Sequence, residues 1–153
     1  MIKLIAQNKK ARFNYQIQET LVAGIVLTGG EVKSLRMGRA NINESYVSPE
    51  NGEIFLINSH ILEYAPAAKG FVKQTPTRPR KLLLTSQEIK KWTGAVAKKG
   101  QTIIPLELFF NHKGLAKIKI ALAMGKNLVD KRETIKQRDW NREKQRVLKN
   151  YNH

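Results

Sequence analysis

The sequence contains no cysteine and only three histidines, which removes most of the common chemistry of metals and thiols. Without thiols there is no disulfide framework and no thiolate-held metal centre, a composition suited to a reducing compartment such as the cytoplasm. His60, His112 and His153 each lack a second histidine or a carboxylate at a metal-ligand or catalytic-triad spacing. No glycine-rich phosphate loop is present either. We therefore predict no metal, no cofactor and no enzyme, although a nuclease built from Lys, Arg and carboxylates stays open.

Long apolar runs are also missing, and acidic residues are scarce. No window approaches the roughly 20 apolar residues that a membrane helix needs, and the first ten residues are too polar for a signal peptide. Twelve Asp and Glu stand against 28 Lys and Arg, which gives a net charge of +16 and a pI near 10.3. Such a balance predicts a polyanionic partner, with nucleic acid ahead of an anionic membrane surface.

The positive charge is concentrated in particular segments of the chain. Residues 13–68 carry three basic residues against six acids, whereas residues 69–100 carry nine basic residues against Glu88 alone. Residues 124–153 are again basic, with nine basic residues against four acids. This distribution indicates a directed binding face rather than a uniform basic coat.

The first half of the chain reads as short strands with one helix. Residues 13–17 alternate apolar and polar side chains, which predicts a half-buried strand. Residues 23–28 form a short β-branched run, and Gly29-Gly30 after it predicts a second strand closed by a turn. Residues 31–36 have helical spacing, and Gly38 would end that helix.

The second half repeats these signals. Asn51-Gly52 predicts a hairpin turn, and residues 111–114 predict another between two apolar strands. In the second of these strands Lys117 and Lys119 alternate with Ile118 and Ile120, which predicts one wet, basic face. Thr85 to Glu88 matches a capping box, from which a helix should run to Gly100. About six strands and two helices favour a mainly β fold, in which a small antiparallel oligonucleotide-binding-like barrel over residues 1–123 carries flanking helices.

Residues 124–153 differ in composition from the rest. Large apolar side chains are rare between Asp130 and Arg146, so a helix formed here could bury almost nothing by itself. The residues are nevertheless good helix formers without Pro or Gly. We predict a basic C-terminal tail that is disordered alone and becomes helical on an RNA surface, with a solvated extension of no function as the alternative.

Two groups of side chains are candidates for contact with nucleic acid. Arg78, Arg80 and Lys81 surround Pro79, and arginine forks match phosphate oxygens, but a solvated loop is the alternative reading. The aromatic residues of the strand patterns could stack on nucleobases, although we expect core packing for most of them. These are Phe13, Tyr15, Tyr46, Phe55, Phe109 and Phe110. Trp140 lies in the tail, where contact with a partner is as plausible as no role.

Several motifs together resemble the SsrA-binding protein (small protein B) family. They occur in order along nearly the whole chain, and their combination is specific although each alone is weak. The segments are 8–12, 23–29, 31–36, 41–47, 78–84 and 130–136. The resemblance implies a barrel that grips the transfer-RNA-like part of transfer-messenger RNA and brings it to stalled ribosomes for trans-translation, ribosome rescue and tagging of the nascent peptide.

The resemblance also implies roles for individual residues. A monomer would bind the RNA, and the tail would reach the decoding centre and message channel of the ribosome. Glu31 cannot favour phosphate, so we expect it to pair with a neighbouring basic side chain or accept from a nucleotide edge. The implied RNA-binding residues are Asn8, Lys9, Lys10, Arg12, Glu31, Lys33, Arg36, Arg78, Arg80 and Lys81. The implied ribosome-contacting residues are Asp130, Lys131, Arg132, Ile135, Lys136, Arg138 and Trp140.

Two other functions stay open at this point. A ribosomal or cold-shock-like barrel with general RNA affinity would share the charge and the strand pattern, and equal affinity for unrelated RNAs would favour it. An RNA-modifying or RNA-cleaving enzyme would show turnover on purified RNA.

Overall fold

The structure, a computed structural model, describes residues 2–64, 76–98 and 100–125, and the side chain of Arg12 lies outside the described part. Nine strands and three helices occur in these residues. The strands are β1 (Lys3–Gln7), β2 (Tyr15–Ile25), β3 (Ala40–Asn41), β4 (Tyr46–Glu50), β5 (Glu53–Ile57), β6 (His60–Ile61), β7 (Arg80–Leu83), β8 (Gln101–Phe110) and β9 (Ala116–Gly125). The helices are α1 (Ala11–Asn14), α2 (Gly29–Arg36) and α3 (Ser86–Ala97).

Six of the strands form a closed antiparallel ring in the order β8, β4, β5, β7, β2 and β9, since β9 pairs with β8 again. The β4–β8 contact is the narrowest, with Val47 opposite Ile103. Strand β1 extends the ring beside the other end of β8, and β3 and β6 form a separate small sheet. Closure removes exposed sheet edges, so the mainly β barrel with flanking helices predicted from the sequence is confirmed.

The barrel is filled by alternate residues of its strands. Ile54, Leu56, Leu82, Ile118 and Ile120 are fully buried in one cluster, as period-two side-chain alternation requires. A second cluster lies on the outer surface, where Ala11 of α1 packs with apolar residues of β8 and β9. The one-turn helix α1 therefore covers part of the barrel that would otherwise be exposed.

Two predictions that depend on short sequence motifs were confirmed. Asn51 and Gly52 both have positive φ, and they join β4 to β5 as the Asn-Gly pair predicted. Thr85 and Glu88 form the predicted capping box at the start of α3. That helix ends at Ala97, three residues before the predicted end.

The predictions for residues 13–30 were wrong in three respects. One continuous strand, β2, replaces the two predicted strands, and Phe13 lies in α1 instead of a strand. Gly29 and Gly30 do not form a turn: they begin α2, because Thr28 caps the helix by accepting from the backbone N–H of Glu31 at 3.1 Å. The capping box is complete, since the Glu31 side chain accepts from the Thr28 backbone N–H at 2.9 Å.

Candidate nucleic-acid interface

Glu31 joins three segments of the chain through one buried carboxylate. Besides capping α2, its Oε2 accepts from the Nε of Arg78 at 3.0 Å and from the Nε of Arg80 at 2.9 Å. Its Oε1 and Oε2 also accept from the Nη2 atoms of Arg78 and Arg80, at 2.5 and 2.6 Å respectively. The expected pairing of Glu31 with a basic side chain is therefore confirmed, and the carboxylate, only 1% exposed, is closed to a nucleotide edge in this conformation.

Arg80 is fully buried, with 0% of its side chain exposed. Its Nη1 donates to the hydroxyl of Ser59 at 3.0 Å, and its Nη2 donates to the backbone oxygens of Ile61 and Pro76 at 3.0 and 2.9 Å. The guanidinium thus connects β7 to the β6 region and to the end of the preceding loop. In this conformation it offers no surface to a phosphate, although the sequence indicated an RNA contact.

The carboxyl of Glu31 stays ionised at neutral pH. Burial raises the pKa of Glu31, but the hydrogen bonds from Arg78, from the Thr28 N–H and from Arg80 outweigh it and hold that pKa below its ordinary value. One negative charge therefore faces two guanidinium groups. The network keeps a net positive charge, and Arg78, 24% exposed, presents it to solvent.

The other predicted residues of α2 and β7 lie at the surface around this network. Lys33 places its Nζ 4.9 Å from the ring centroid of Tyr64, a cation–π contact, and Arg36 is exposed in the last turn of α2. Lys81 is 43% exposed and pairs with Glu53 at 3.2 Å. Both elements that contribute to the network, α2 and β7, thus also carry cations with exposed side chains.

The N-terminal motif lies beside α1. The Asn8 side chain donates to the Pro105 oxygen at 3.0 Å, which fixes the chain between β1 and α1. Lys9 and Lys10 are exposed, and Lys10 lines a polar surface groove of about 370 Å³ together with Tyr46. Arg12 belongs to α1, but its side chain is outside the described residues. Lys10 and Tyr46 therefore line one groove, and Lys9 is exposed next to Lys10 in the chain.

A further surface was only partly indicated by the sequence: the outer face of β1, β8, β9, β2 and β7. Leu4, Phe109, Lys117, Gly24 and Leu83 lie opposite one another in that order, and directly opposed residues share a face of the sheet. Because Gly24 has no side chain, Leu83 packs over it, with 3.2 Å between the Leu83 Cβ and the position a Gly24 Cβ would take.

Apolar and basic side chains alternate across this face, which also carries the acid Glu107 opposite Lys119. Lys119 lies opposite Val22, one step of the alternation away from Lys117. Leu4, Val22 and Leu83 are 50%, 55% and 54% exposed. We call Leu4, Val22, Leu83, Lys117 and Lys119 the outer strip. The alternation of Lys117 and Lys119 in the sequence pointed to a basic face, but their apolar neighbours come from other strands and only the pairing brings them together.

The expectation of core packing was confirmed for Phe110 and wrong for Phe13 and Tyr46, while Tyr15, Phe55 and Phe109 are only half-buried. Phe13 is 74% exposed on α1, and Tyr46 is 51% exposed on β4, whereas Phe110 is 6% exposed and belongs to the core. Phe13 lies outside the core because residues 11–14 form a helix and not a strand, so its side chain does not follow the alternation of β2. Phe13 is close to Lys9 and Lys10 in sequence, and Tyr46 lines the same groove as Lys10.

Some predicted residues cannot be compared with the structure. Asp130, Lys131, Arg132, Ile135, Lys136, Arg138 and Trp140 lie outside the described residues, as do residues 65–75 of the basic loop. The predicted boundary at residue 123 falls within β9, which ends at Gly125.

Two negative findings apply to the described part of the chain. It contains no group of three His, Asp or Glu side chains placed to hold a metal ion. No helix in it has the length and apolar character needed to cross a membrane.

Comparison with known proteins gives a consistent result. A family model described as SmpB protein matches residues 5–150. An SsrA-binding protein of Novosphingobium aromaticivorans is 52% identical, over 97% of this chain and 92% of its own length. One of Allorhizobium ampelinum is 56% identical, over 96% of this chain and 92% of its own. A chain of the solved structure "tmRNA-SmpB: a journey to the center of the bacterial ribosome" is 43% identical, with a TM-score of 0.64 over 80% of this chain and 84% of that one.

Proposed function

Because the chain belongs to the SmpB protein family, we propose that it binds SsrA RNA, the transfer-messenger RNA, and carries it to stalled bacterial ribosomes for trans-translation. It acts as an RNA-binding protein and not as an enzyme. The net charge of +16 supplies the long-range attraction to RNA. The closed barrel supplies a rigid surface that can hold cations at fixed positions.

The observation that carries the location of the RNA site is the outer strip. Exposed apolar side chains grouped on one face mark an interaction surface, and lysines within the group select an anionic partner. Lys117 and Lys119 would contact phosphates while Val22 and Leu83 cover ribose and nucleobase surface. The exposed cations beside the Glu31 network, Lys33, Arg36, Arg78 and Lys81, would extend this site, and Lys9 and Lys10 would extend it at the N-terminal motif.

The remaining parts of the proposal rest on composition and family membership. The barrel domain, residues 1–123, would bind the transfer-RNA-like part of the RNA as a monomer. The basic residues 124–153 would act on the ribosome, with Lys131, Arg132, Lys136 and Arg138 against ribosomal RNA phosphates. Both partners are found in the cytoplasm, which is the location we propose.

Binding titrations at physiological salt test the proposed function directly. We expect transfer-messenger RNA to bind at least a hundredfold more tightly than an unrelated structured RNA of equal length, about 2.7 kcal/mol. Such a preference requires recognition beyond charge, because charge alone acts equally on both RNAs. Equal affinity for the two RNAs would reduce the protein to a general RNA-binding barrel.

Removing the lysines of the outer strip should weaken RNA binding and its salt dependence. For Lys117→Ala and for Lys119→Ala, we expect the slope of log K against log salt to become shallower by about 0.7–0.9, the contribution of one phosphate contact. The measurement is a titration series at several salt concentrations.

Lys98→Ala is the matched control for these two variants. Lys98 is exposed, and its backbone oxygen accepts from the N–H of Gln101. Gln101 pairs with Met124, which is seven residues from Lys117 along β9, about 23 Å at the rise of a strand. Lys98 therefore carries the same charge far from Lys117. An equal loss of slope in all three variants would mean that binding follows total charge and that the outer strip is not the site.

A further inference from the structure

The buried acid Glu31 has a position that charge alone does not explain. Removing an acid from a protein that binds RNA should raise affinity, because the repulsion of phosphates falls. Yet Glu31 is 1% exposed, and its carboxylate oxygens accept from two arginines. The less buried of the two arginines is Arg78, 24% exposed, which belongs to the basic segment 69–100.

The donors of Arg78 divide into two sets. Its Nε and one N–H of Nη2 are held by Glu31, and one N–H of Nη1 donates to the Pro79 oxygen at 3.2 Å. A guanidinium has five N–H donors in a fixed plane, so two of them, one on each Nη atom, are not used by these bonds, and the Arg78 side chain is 24% exposed. Two parallel N–H groups match the oxygens of a phosphate.

Arg80 completes the arrangement from the other side of the carboxylate. It is fully buried, and its charge is opposed by Glu31 at 2.6 Å. Its bonds to the Ser59, Ile61 and Pro76 groups hold Glu31 against the barrel, so the carboxylate cannot follow Arg78 outward. The charge of Arg78 is then left for a partner, in an orientation set by Glu31.

We propose that Glu31 is a positioning residue for RNA binding: it orients the guanidinium of Arg78 so that its two free N–H groups face an RNA phosphate, and Arg80 holds Glu31 in place without touching RNA. This proposal rests on the proposed RNA-binding function. It assigns direct contact to Arg78 and indirect roles to Glu31 and Arg80.

A double-mutant cycle on RNA affinity separates positioning from independent effects. We expect Arg78→Gln to weaken binding of transfer-messenger RNA about tenfold, the effect of one charge-assisted contact. Glu31→Gln should weaken it three- to tenfold although the net charge rises by one. In the Arg78→Gln background, Glu31→Gln should change affinity less than twofold, because there is no guanidinium left to orient.

Glu53→Gln is the matched control. Glu53 also pairs with a cation of the basic segment, Lys81, at 3.2 Å, but both side chains are substantially exposed, at 37% and 43%. The same change of charge there should leave affinity unchanged or raise it. Arg78→Lys keeps the charge but loses the fork, and it should bind RNA several-fold more weakly than the unmodified chain.

Each outcome decides one question. Tighter binding by Glu31→Gln, or equal factors in both backgrounds, overturns the positioning role. Should Glu31→Gln fail to fold, as judged by circular dichroism, Arg78→Lys decides alone, and unchanged affinity there overturns the proposal. If the unmodified protein does not prefer transfer-messenger RNA over the unrelated RNA, the proposed function fails instead. The affinities of the four proteins in the cycle are then measured with whichever RNA binds.

Discussion

Replacing Arg80 with Met should lower the free energy of unfolding by about 3–5 kcal/mol, the cost of breaking a buried ion pair, because Glu31 would keep only the partly exposed Arg78 as a cationic partner. The guanidinium is fully buried and donates to Glu31, to the Ser59 hydroxyl and to four backbone oxygens. Methionine fills the space of the side-chain stem but donates nothing. The measurement is urea unfolding at neutral pH, with the slope of the transition compared between variants to confirm that the same surface unfolds.

Two further variants show which interactions account for this loss of stability. Arg78→Met removes the other, partly exposed arginine of the network and should cost much less, since solvent can replace its hydrogen bonds. Glu31→Gln combined with Arg80→Met should recover part of the stability, because the buried carboxylate would no longer be charged. A loss below about 1 kcal/mol for Arg80→Met would show that the network contributes little, in line with an exposed pair.

Gly30→Ala should destabilise the protein by about 3 kcal/mol, the upper end of the cost of inserting an atom into a packed site. A Cβ at this position would lie 2.3 Å from the backbone oxygen of Tyr64 and 2.7 Å from the Glu63 Cγ. A backbone oxygen cannot rotate away, and the Tyr64 N–H donates to the Gly30 oxygen at 3.1 Å. The whole segment would have to move away from α2. Thermal and urea unfolding measure the effect.

The preceding glycine provides the control for this prediction. Gly29 occupies the same turn of α2, but nothing lies within 4 Å of an added Cβ. Gly29→Ala should therefore be neutral or stabilising by up to about 1 kcal/mol, because alanine loses less backbone entropy in a helix. Equal effects of the two substitutions would show that helix propensity, and not the approach of residue 64, determines the need for glycine at position 30.

The two predictions concern one assembly of segments. Gly30 allows residues 61–64 to approach α2, and Arg80 ties the same region to β7 through the backbone oxygen of Ile61. The Ser34 hydroxyl of α2 also donates to the backbone oxygen of Leu62. Lys33 and Arg78 therefore keep a fixed spacing, which a surface must have if it distinguishes one RNA from another.

The sequence alone determined the features that depend on near neighbours in the chain. The Asn51-Gly52 hairpin follows because these residues tolerate positive φ. The α3 capping box follows because Thr85 and Glu88 are one helical turn apart. Alternation in residues 116–120 placed Ile118 and Ile120 inside and Lys117 and Lys119 outside. The excess of basic residues predicted a nucleic-acid partner, and ordered motifs indicated the family.

Only the tertiary structure decided which charged and apolar residues reach the surface. Arg78 and Arg80 are two positions apart in one basic motif, and both donate to Glu31, which is 47 and 49 residues away in sequence. Only Arg80 is fully buried, because it also donates to groups of Ser59, Ile61 and Pro76. Likewise Leu83 belongs to an apolar run that reads as core, but its strand pairing turns it outward over Gly24. Gly30 reads as a turn residue until Tyr64 is brought against it. Burial depends on contacts between distant segments, and a sequence pattern records only the local part of them.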